Sequence, residues 1–217
     1  WPGPERLPSG FDPRKLLDEG KNPGLGIRAL HKEGITGEGV GIAILDQPLL
    51  LGHEEYTSRL IHYDAAKASW LSPQFHGSPI AGIAVGRTCG VAPDAFVFYY
   101  ASCTTSEHRM QTDYIKEIIR HNETQGGPGR IRVISISAAP EESPDNDAFM
   151  LARKEALDAG ILVVTCSARF LRYGTATLVE GTDPDKPENY RRGRYAVASD
   201  EILVPTGNKA VASYQGT

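Results

Sequence analysis

The sequence has 217 residues, a formal net charge of −4 and 40% hydrophobic residues. This is enough to bury one sizeable core in a single domain. The 23 glycines and 15 prolines beside ordinary charge content indicate an α/β protein with many tight loops. The acidic balance gives no electrostatic reason to bind nucleic acid or an anionic membrane. Apolar runs such as Val40 to Leu45 are far shorter than the roughly 20 residues that a membrane-spanning helix needs.

Residues 1–24 are rich in proline, glycine and charge, and we interpret them as an arm that lies over a domain formed by residues 25–217. The arm is predicted to hold a short helix around Pro13–Asp18. A short amphipathic helix is predicted over Gly26–Lys32, ended by Gly34.

The first core strand is predicted over residues 40–45, because a continuous apolar run of this length is typical of a parallel strand buried on both faces. Asp46 ends this strand, at the sheet edge where functional residues of open α/β sheets collect. Taken alone, an aspartate here is more often a turn or cap residue. His53 follows in the loop Leu49–Tyr56 and is predicted to be a surface histidine without a catalytic role.

His76 stands before a helix whose residues are small or apolar on every face, which predicts a buried central helix. Pro79 is tolerated because it falls in the first turn, where its missing N–H has no intrahelical partner. An imidazole at the open end of such a helix is well placed to move protons near neutral pH.

Further strands are predicted over Asp94–Ala101, Ile131–Ala139 and Ile161–Thr165, and weaker strand character returns over Tyr195–Val204. Helices are predicted over Met110–His121 and Asp147–Ala159, the second ended by Gly160. His108 and His121 are expected to face water. Residues 171–194 are interpreted as long loops with a short turn.

Residues 76–82 read His-Gly-Ser-x-x-Ala-Gly, and residues 90–95 read Gly-Val-Ala-Pro-x-Ala. Together they resemble the histidine segment of the subtilisin-like serine peptidases, and the resemblance extends from about Gly26 to the end. It implies a three-layer α/β fold, with a mostly parallel central sheet and helices on both faces. It also implies a peptide or protein substrate hydrolysed by an Asp-His-Ser triad. In that triad Asp46 would orient His76, and His76 would act as general base and then general acid.

Two positions near the predicted triad depart from the family pattern. Gln47-Pro48 stands where the family has Ser or Thr followed by Gly, so the local turn is expected to differ. The connection Arg87-Thr88-Cys89 is too short for the calcium-binding loop that many subtilisins carry after the histidine helix. We therefore expect no calcium site, and we expect no cofactor.

The resemblance also locates substrate-binding positions. Ser137-Ala138-Ala139 occupies the place of Ser-Leu-Gly, whose backbone pairs with the substrate as an added strand. Alanine in place of glycine should narrow the specificity pocket. Arg169 aligns with the asparagine that donates a hydrogen bond to the oxyanion. Arginine could donate too, but a surface arginine without this role is an equal alternative.

Three cysteines, Cys89, Cys103 and Cys166, are odd in number and widely spaced. This argues against a disulfide framework and a zinc site, and favours a reducing compartment. The resembling family is largely secreted, so the compartment stays open. Cys166 is a candidate nucleophile of a Cys–His peptidase, but a buried structural cysteine is the favoured interpretation.

The sequence ends on Gly216-Thr217, where the family commonly continues directly with the nucleophilic serine. An alternative register places that serine somewhat further on, after another loop. None of the serines present lies in a matching motif, so we expect the nucleophile outside this sequence and no peptide hydrolysis by the chain alone. We also expect an apolar face left uncovered by the absent segment, which would favour self-association.

Two functions of other classes remain as hypotheses. Gln47-Pro48 and Arg169 favour a subtilisin-like scaffold that has lost catalysis and acts as a protein-binding or regulatory module. A nucleotide-binding domain is disfavoured, because Gly37-x-Gly39 precedes its strand whereas a phosphate-cradling loop follows one.

Overall fold

The structure is a computed structural model that describes residues 2–102, 108–124, 129–137, 145–165, 174–192 and 203–205. The helices are α1 (Pro13–Gly20), α2 (Ile27–Lys32), α3 (Gly77–Val85), α4 (His108–Thr124) and α5 (Asn146–Asp158). The strands are β1 (Val40–Asp46), β2 (Leu60–Asp64), β3 (Phe96–Ala101), β4 (Arg130–Ile136), β5 (Leu162–Thr165), β6 (Gly174–Leu178), β7 (Tyr190–Arg192) and β8 (Leu203–Pro205).

Five of the strands form an all-parallel sheet in the order β2-β3-β1-β4-β5. Strand β1 lies at the centre, hydrogen-bonded to β3 on one side and β4 on the other. The four core strands predicted from apolar runs are confirmed, with β1 extended to include Asp46. Strand β2 was not predicted: its sequence, LIHYD, is short and half-exposed, and it pairs only at the sheet edge.

Helices cover both faces of the sheet, which confirms the predicted three-layer α/β fold. Along β1 the side chains alternate, as strand geometry requires. Ala43 and Leu45 pack under α4 and α5 in one apolar cluster. Ile44 packs with α3 in a second cluster on the opposite face. Gly160 ends α5 as predicted. The helix stops at Asp158, Ala159 caps it, and Gly160 then adopts a left-handed φ of 77°.

Helix α3 is only partly the buried helix that its composition predicts. Ala81 and Val85 are fully buried against the sheet. Pro79 and Ile83 face outward, and Ile83 is 54% exposed. Composition shows that a helix lacks charge, but which face is covered depends on the neighbouring elements.

A second sheet, in the order β7-β6-β8, corrects the interpretation of residues 171–194 as loops. Strands β6 and β7 pair antiparallel, and β8 joins β6 in parallel. Each strand is three to five residues long and lacks a clear apolar alternation, so the pairing left little trace in the sequence. The prediction of a strand over Tyr195–Val204 lies largely outside the described residues.

The chain segment before α2 contacts the loop between β6 and β7. Asn22 donates a side-chain hydrogen bond to Asp185 at 2.8 Å, and the Leu25 amide donates to the Pro184 carbonyl at 2.6 Å. Helix α1 itself begins as predicted: the Asp12 carboxylate accepts the amides of Arg14 and Lys15, with Pro13 in the first turn. The boundary between arm and domain stays a prediction.

His121 on α4 does not face water as predicted. It is half-buried, and its ring lies edge-on to Phe98 at a centroid distance of 5.0 Å. Burial lowers the pKa of His121, and the nearby His62 on β2 lowers it further, while Glu117 opposes both. The side chain of His108 lies outside the described part of the structure. Among the described helices, none is both long and apolar enough to cross a membrane.

Candidate active site

Asp46 is held at the carboxyl end of β1 with its side chain 2% exposed. Neighbouring strands enclose it, because β1 is the central strand of the sheet. Its backbone carbonyl accepts the amide of Ser102, just beyond β3, which continues the strand pairing past the last residue of β1. The backbone that carries this carboxylate is therefore held to β3 at Asp46 itself and at the residue beyond it.

His76 meets Asp46 across the sheet edge. The His76 Nδ1 atom lies 2.7 Å from the Asp46 Oδ1 atom. The imidazole is 37% exposed, so one ring nitrogen contacts a buried carboxylate while the ring reaches solvent. Among the described residues no group bonds His76 Nε2, which leaves that nitrogen free to exchange a proton.

The Gln47-Pro48 turn is built around backbone bonds instead of the small residues that the family pattern has. The Gln47 amide donates to Asp46 Oδ1 at 2.7 Å, so this oxygen serves both the turn and the histidine. The Gln47 carbonyl accepts the Tyr99 hydroxyl, and the Pro48 carbonyl accepts the Gln74 amide at 2.9 Å. The turn thereby ties the strand end to the loop that carries His76.

Position 77 requires glycine because the Tyr99 side chain and the Gln47 backbone come very close to its Cα atom. A Cβ atom at this position would lie 2.2 Å from the Tyr99 hydroxyl oxygen and 2.3 Å from the Gln47 carbonyl oxygen. Real Cβ contacts are never this short, so only glycine lets α3 begin directly above the Asp46 turn. The His-Gly pair in the sequence is thus a geometric requirement of the site.

Three tyrosine hydroxyls support the site, and the sequence analysis missed all of them. Tyr56 donates to the Leu50 carbonyl at 2.8 Å and lies 2.9 Å from Ser78 Oγ, and Tyr63 accepts the Leu49 amide at 3.4 Å. Burial and then the charge of Asp46 raise the pKa of Tyr99, so its hydroxyl stays protonated and donates. The available signal, for Tyr99 alone, was the tyrosine pair Tyr99-Tyr100 in β3, which is ordinary strand composition.

The other predicted site residues are distributed as follows. Ser137 directly follows β4 and is half-buried. Ala138, Ala139, Arg169 and Cys166 lie outside the described residues. His53 is not brought to the site: its Nδ1 accepts the Glu55 amide, and its ring stacks on Tyr56 at 5.1 Å.

Metal-binding chemistry has little support in the described ranges. They contain no group of three or more His, Cys, Asp or Glu side chains able to hold a metal ion. Cys89 is half-buried and bonds the Gly82 carbonyl through Sγ, and burial raises the pKa of its thiol. This is the environment of an inert structural cysteine.

Comparison with known proteins identifies the protein family. The family model described as the Subtilase family (Peptidase S8) matches residues 37–170, more than half of the chain. This protein therefore belongs to the subtilase family of serine proteases. The matched range includes both Asp46 and His76.

One curated relative and two solved structures illustrate what the chain is similar to. The chain is 34% identical over 119 residues to the subtilisin-like protease PopC of Myxococcus xanthus (strain DK1622), covering 49% of this chain and 24% of PopC. The prenylagaramide maturation protease PagA superposes with a TM-score of 0.55 at 12% identity, over 74% of this chain and 62% of PagA. The epidermin leader peptide processing protease of Staphylococcus aureus superposes with a TM-score of 0.50 at 14% identity, over 93% and 53%. The chain thus spans about a quarter of the curated relative it matches, and the structural likenesses concern the fold alone.

Proposed function

We propose that the protein is a serine endopeptidase in which Asp46 and His76 are two members of the catalytic triad. The observation that carries this proposal is the 2.7 Å contact between His76 Nδ1 and a carboxylate that is 2% exposed. A carboxylate withdrawn from water is stabilised by a close hydrogen-bond donor, and here the donor is an imidazole whose other nitrogen is accessible.

In the proposed triad each ring nitrogen of His76 has its own role. Asp46 accepts the Nδ1 proton and so holds the tautomer in which Nε2 carries a lone pair. In the proposed reaction the serine hydroxyl oxygen attacks the peptide carbonyl carbon while Nε2 removes the hydroxyl proton. Nε2 then donates that proton to the leaving amine, while the Asp46 charge stabilises the transient imidazolium.

We propose that the nucleophile is a serine outside this sequence, directly after Thr217 or in the register further on, because none of the serines in this sequence lies in the matching motif. It follows from this proposal that residues 1–217 alone do not form an acyl-enzyme. In the full-length protein, a peptide substrate would align beside the end of β4, where Ser137 lies. The roles of Ala138, Ala139 and Arg169 remain hypotheses from the family pattern.

The test is labelling of the full-length protein by a fluorophosphonate probe, with the modified peptide located by mass spectrometry. We expect one labelled serine beyond Thr217, and we expect the label to disappear in His76→Ala. His53→Ala is the matched control, because His53 lies in a nearby loop but bonds only local groups. Its labelling should equal that of the wild type.

The opposite result would favour the second hypothesis. A folded full-length protein that carries the serine but is not labelled would be a binding scaffold and not a peptidase. Labelling that persists in His76→Ala would instead remove His76 from the mechanism.

A further inference from the structure

The loop that delivers His76 also displays an aromatic side chain beside it. Phe75 is 80% exposed, and its ring meets the His76 ring edge-on, with centroids 6.1 Å apart and planes at 89°. Among the described residues no large hydrophobic side chain is more exposed than Phe75, and its ring stands directly beside the proposed catalytic imidazole.

The loop is well anchored, so the exposure of Phe75 follows from the fold. The neighbouring Gln74 donates its amide to the Pro48 carbonyl at 2.9 Å, and Leu71 packs against the cluster under α3. His76 on the other side is held by Asp46. Because both neighbours are fixed, the chain presents Phe75 at the rim of the site.

A second apolar side chain borders the same helix end. Leu50 is 51% exposed, and its amide donates to Ser78 Oγ at 3.3 Å, two residues after His76. Tyr56 bonds both the Leu50 carbonyl and Ser78, which fixes this loop on the first turn of α3. The described surroundings of His76 therefore carry exposed apolar groups on two separate loops.

We propose that Phe75 is a specificity-determining residue that contacts an apolar substrate side chain next to the scissile bond. This inference rests on the proposed function. The reacting groups lie within hydrogen-bond reach of His76 Nε2, and consecutive residues of a bound peptide are only about 3.8 Å apart. Side chains flanking the scissile bond therefore come within contact distance of a ring centred 6.1 Å from the imidazole.

The chemistry of the contact defines the preferred class of substrate. An exposed phenyl ring offers dispersion and hydrophobic contact but no hydrogen bond, so aliphatic and aromatic side chains gain while glycine and serine do not. Acidic side chains gain nothing from the ring, and basic side chains gain at most a weak cation–π contact at this exposed position. The preference is thus for an apolar residue at one of the two positions flanking the cleaved bond.

The experiment uses the full-length protein and internally quenched peptides that vary one flanking position at a time. In Phe75→Ala, kcat/KM for leucine or phenylalanine at the sensitive position should fall about five- to tenfold, the size of one lost apolar contact. The kcat/KM for glycine or serine at that position should stay within about twofold. Phe75→Leu should retain part of the preference.

Trp70→Ala is the matched control. Trp70 is an exposed aromatic residue of the same loop, at 69%, and it has no ring contact with His76. Its removal should leave the ratio between apolar and small substrates unchanged. The fluorophosphonate labelling of Phe75→Ala should also match that of the wild type.

The experiment distinguishes failure of the proposed function from failure of the Phe75 proposal alone. If the wild type is neither labelled nor cleaves any peptide, the proposed function fails and this inference fails with it. If the wild type is active but Phe75→Ala slows all peptides equally, Phe75 supports His76 and does not select substrates. An unchanged ratio with loss of self-association in sedimentation would make the ring part of a contact between copies, which also overturns the proposal.

Discussion

The two faces of the main sheet differ in where their tyrosine hydroxyls point. Under α4 and α5 the cluster is rich in buried isoleucine, and of its two tyrosines, Tyr100 and Tyr114, the second donates its hydroxyl to the Ala101 carbonyl at the end of β3. Under α3 the cluster contains alanines and the tyrosines Tyr56, Tyr63 and Tyr99. Asp46 and His76 join at the edge of this second face.

The difference shows how the fold separates stability from chemistry. Aliphatic packing stabilises through area and shape, and it directs no polar group towards a reacting centre. On the α3 face the hydroxyls of Tyr56, Tyr63 and Tyr99 each bond a loop beside the site, at Leu50, Leu49 and Gln47 respectively. Substitutions on the two faces should therefore have separable effects.

The largest expected effect is on the α3 face. Asp46→Asn keeps the shape of the side chain but removes the charge and permits the wrong imidazole tautomer. In the full-length protein kcat should fall on the order of 10⁴-fold, with only a small change in melting temperature. Kinetics and thermal melting on the same samples check this. A fall in kcat that only tracks unfolding would contradict it.

On the α4–α5 face, Phe149→Ala should affect stability alone. Phe149 is fully buried, and truncating a buried phenylalanine costs about 3–5 kcal/mol of unfolding free energy. Urea unfolding measures the loss, and kcat/KM per folded molecule should be unchanged. Met150→Ala, one residue along and 36% exposed, is the control and should cost within about 0.5 kcal/mol. A lower kcat/KM in the folded Phe149→Ala variant would contradict the prediction that this face affects stability alone.

Two glycines of α3 sharpen the comparison within one helix. Gly77→Ala drives a methyl group into Tyr99 and the Gln47 carbonyl, so it should cost about 1–3 kcal/mol of unfolding free energy and also lower kcat. Gly82→Ala meets no described atom within 4 Å and should stabilise the helix by up to about 1 kcal/mol. Urea unfolding and peptide hydrolysis of both variants check this. Equal behaviour of the two would show that the close approach at Gly77 does not constrain the site.

The smallest expected effect is a pH dependence at the β2–β3 edge. The pKa of His121 is lowered from 6.5 in the folded state, so the unfolded chain binds the proton more readily. Stability should therefore decrease as pH falls through about 6.5 and level off below the folded pKa. Urea unfolding at pH values of about 7.5 and 5.5 should show a smaller difference in His121→Gln than in the wild type. An equal difference would mean that another group causes the pH dependence.

Local sequence patterns determined much of this protein. Continuous apolar runs located β1, β3, β4 and β5, because strands buried on both faces have few polar positions. Helical periodicity located α4 and α5, and Gly160 marked the end of α5. The two residues that meet in the site, Asp46 and His76, were paired through the family resemblance of the His76 segment, since an aspartate after a strand is by itself more often a turn or cap residue.

Only the tertiary structure decided the short strands, the need for glycine at position 77 and the burial of His121. Each of these depends on residues far apart in the chain. Short strands such as β2 and β6 exist through their partners and carry little pattern of their own. The requirement for Gly77 comes from Tyr99, 22 positions away, and from the turn at Gln47. The burial of His121 comes from its contact with Phe98 on β3. A sequence shows which residues can bury or donate, but packing decides which groups actually meet.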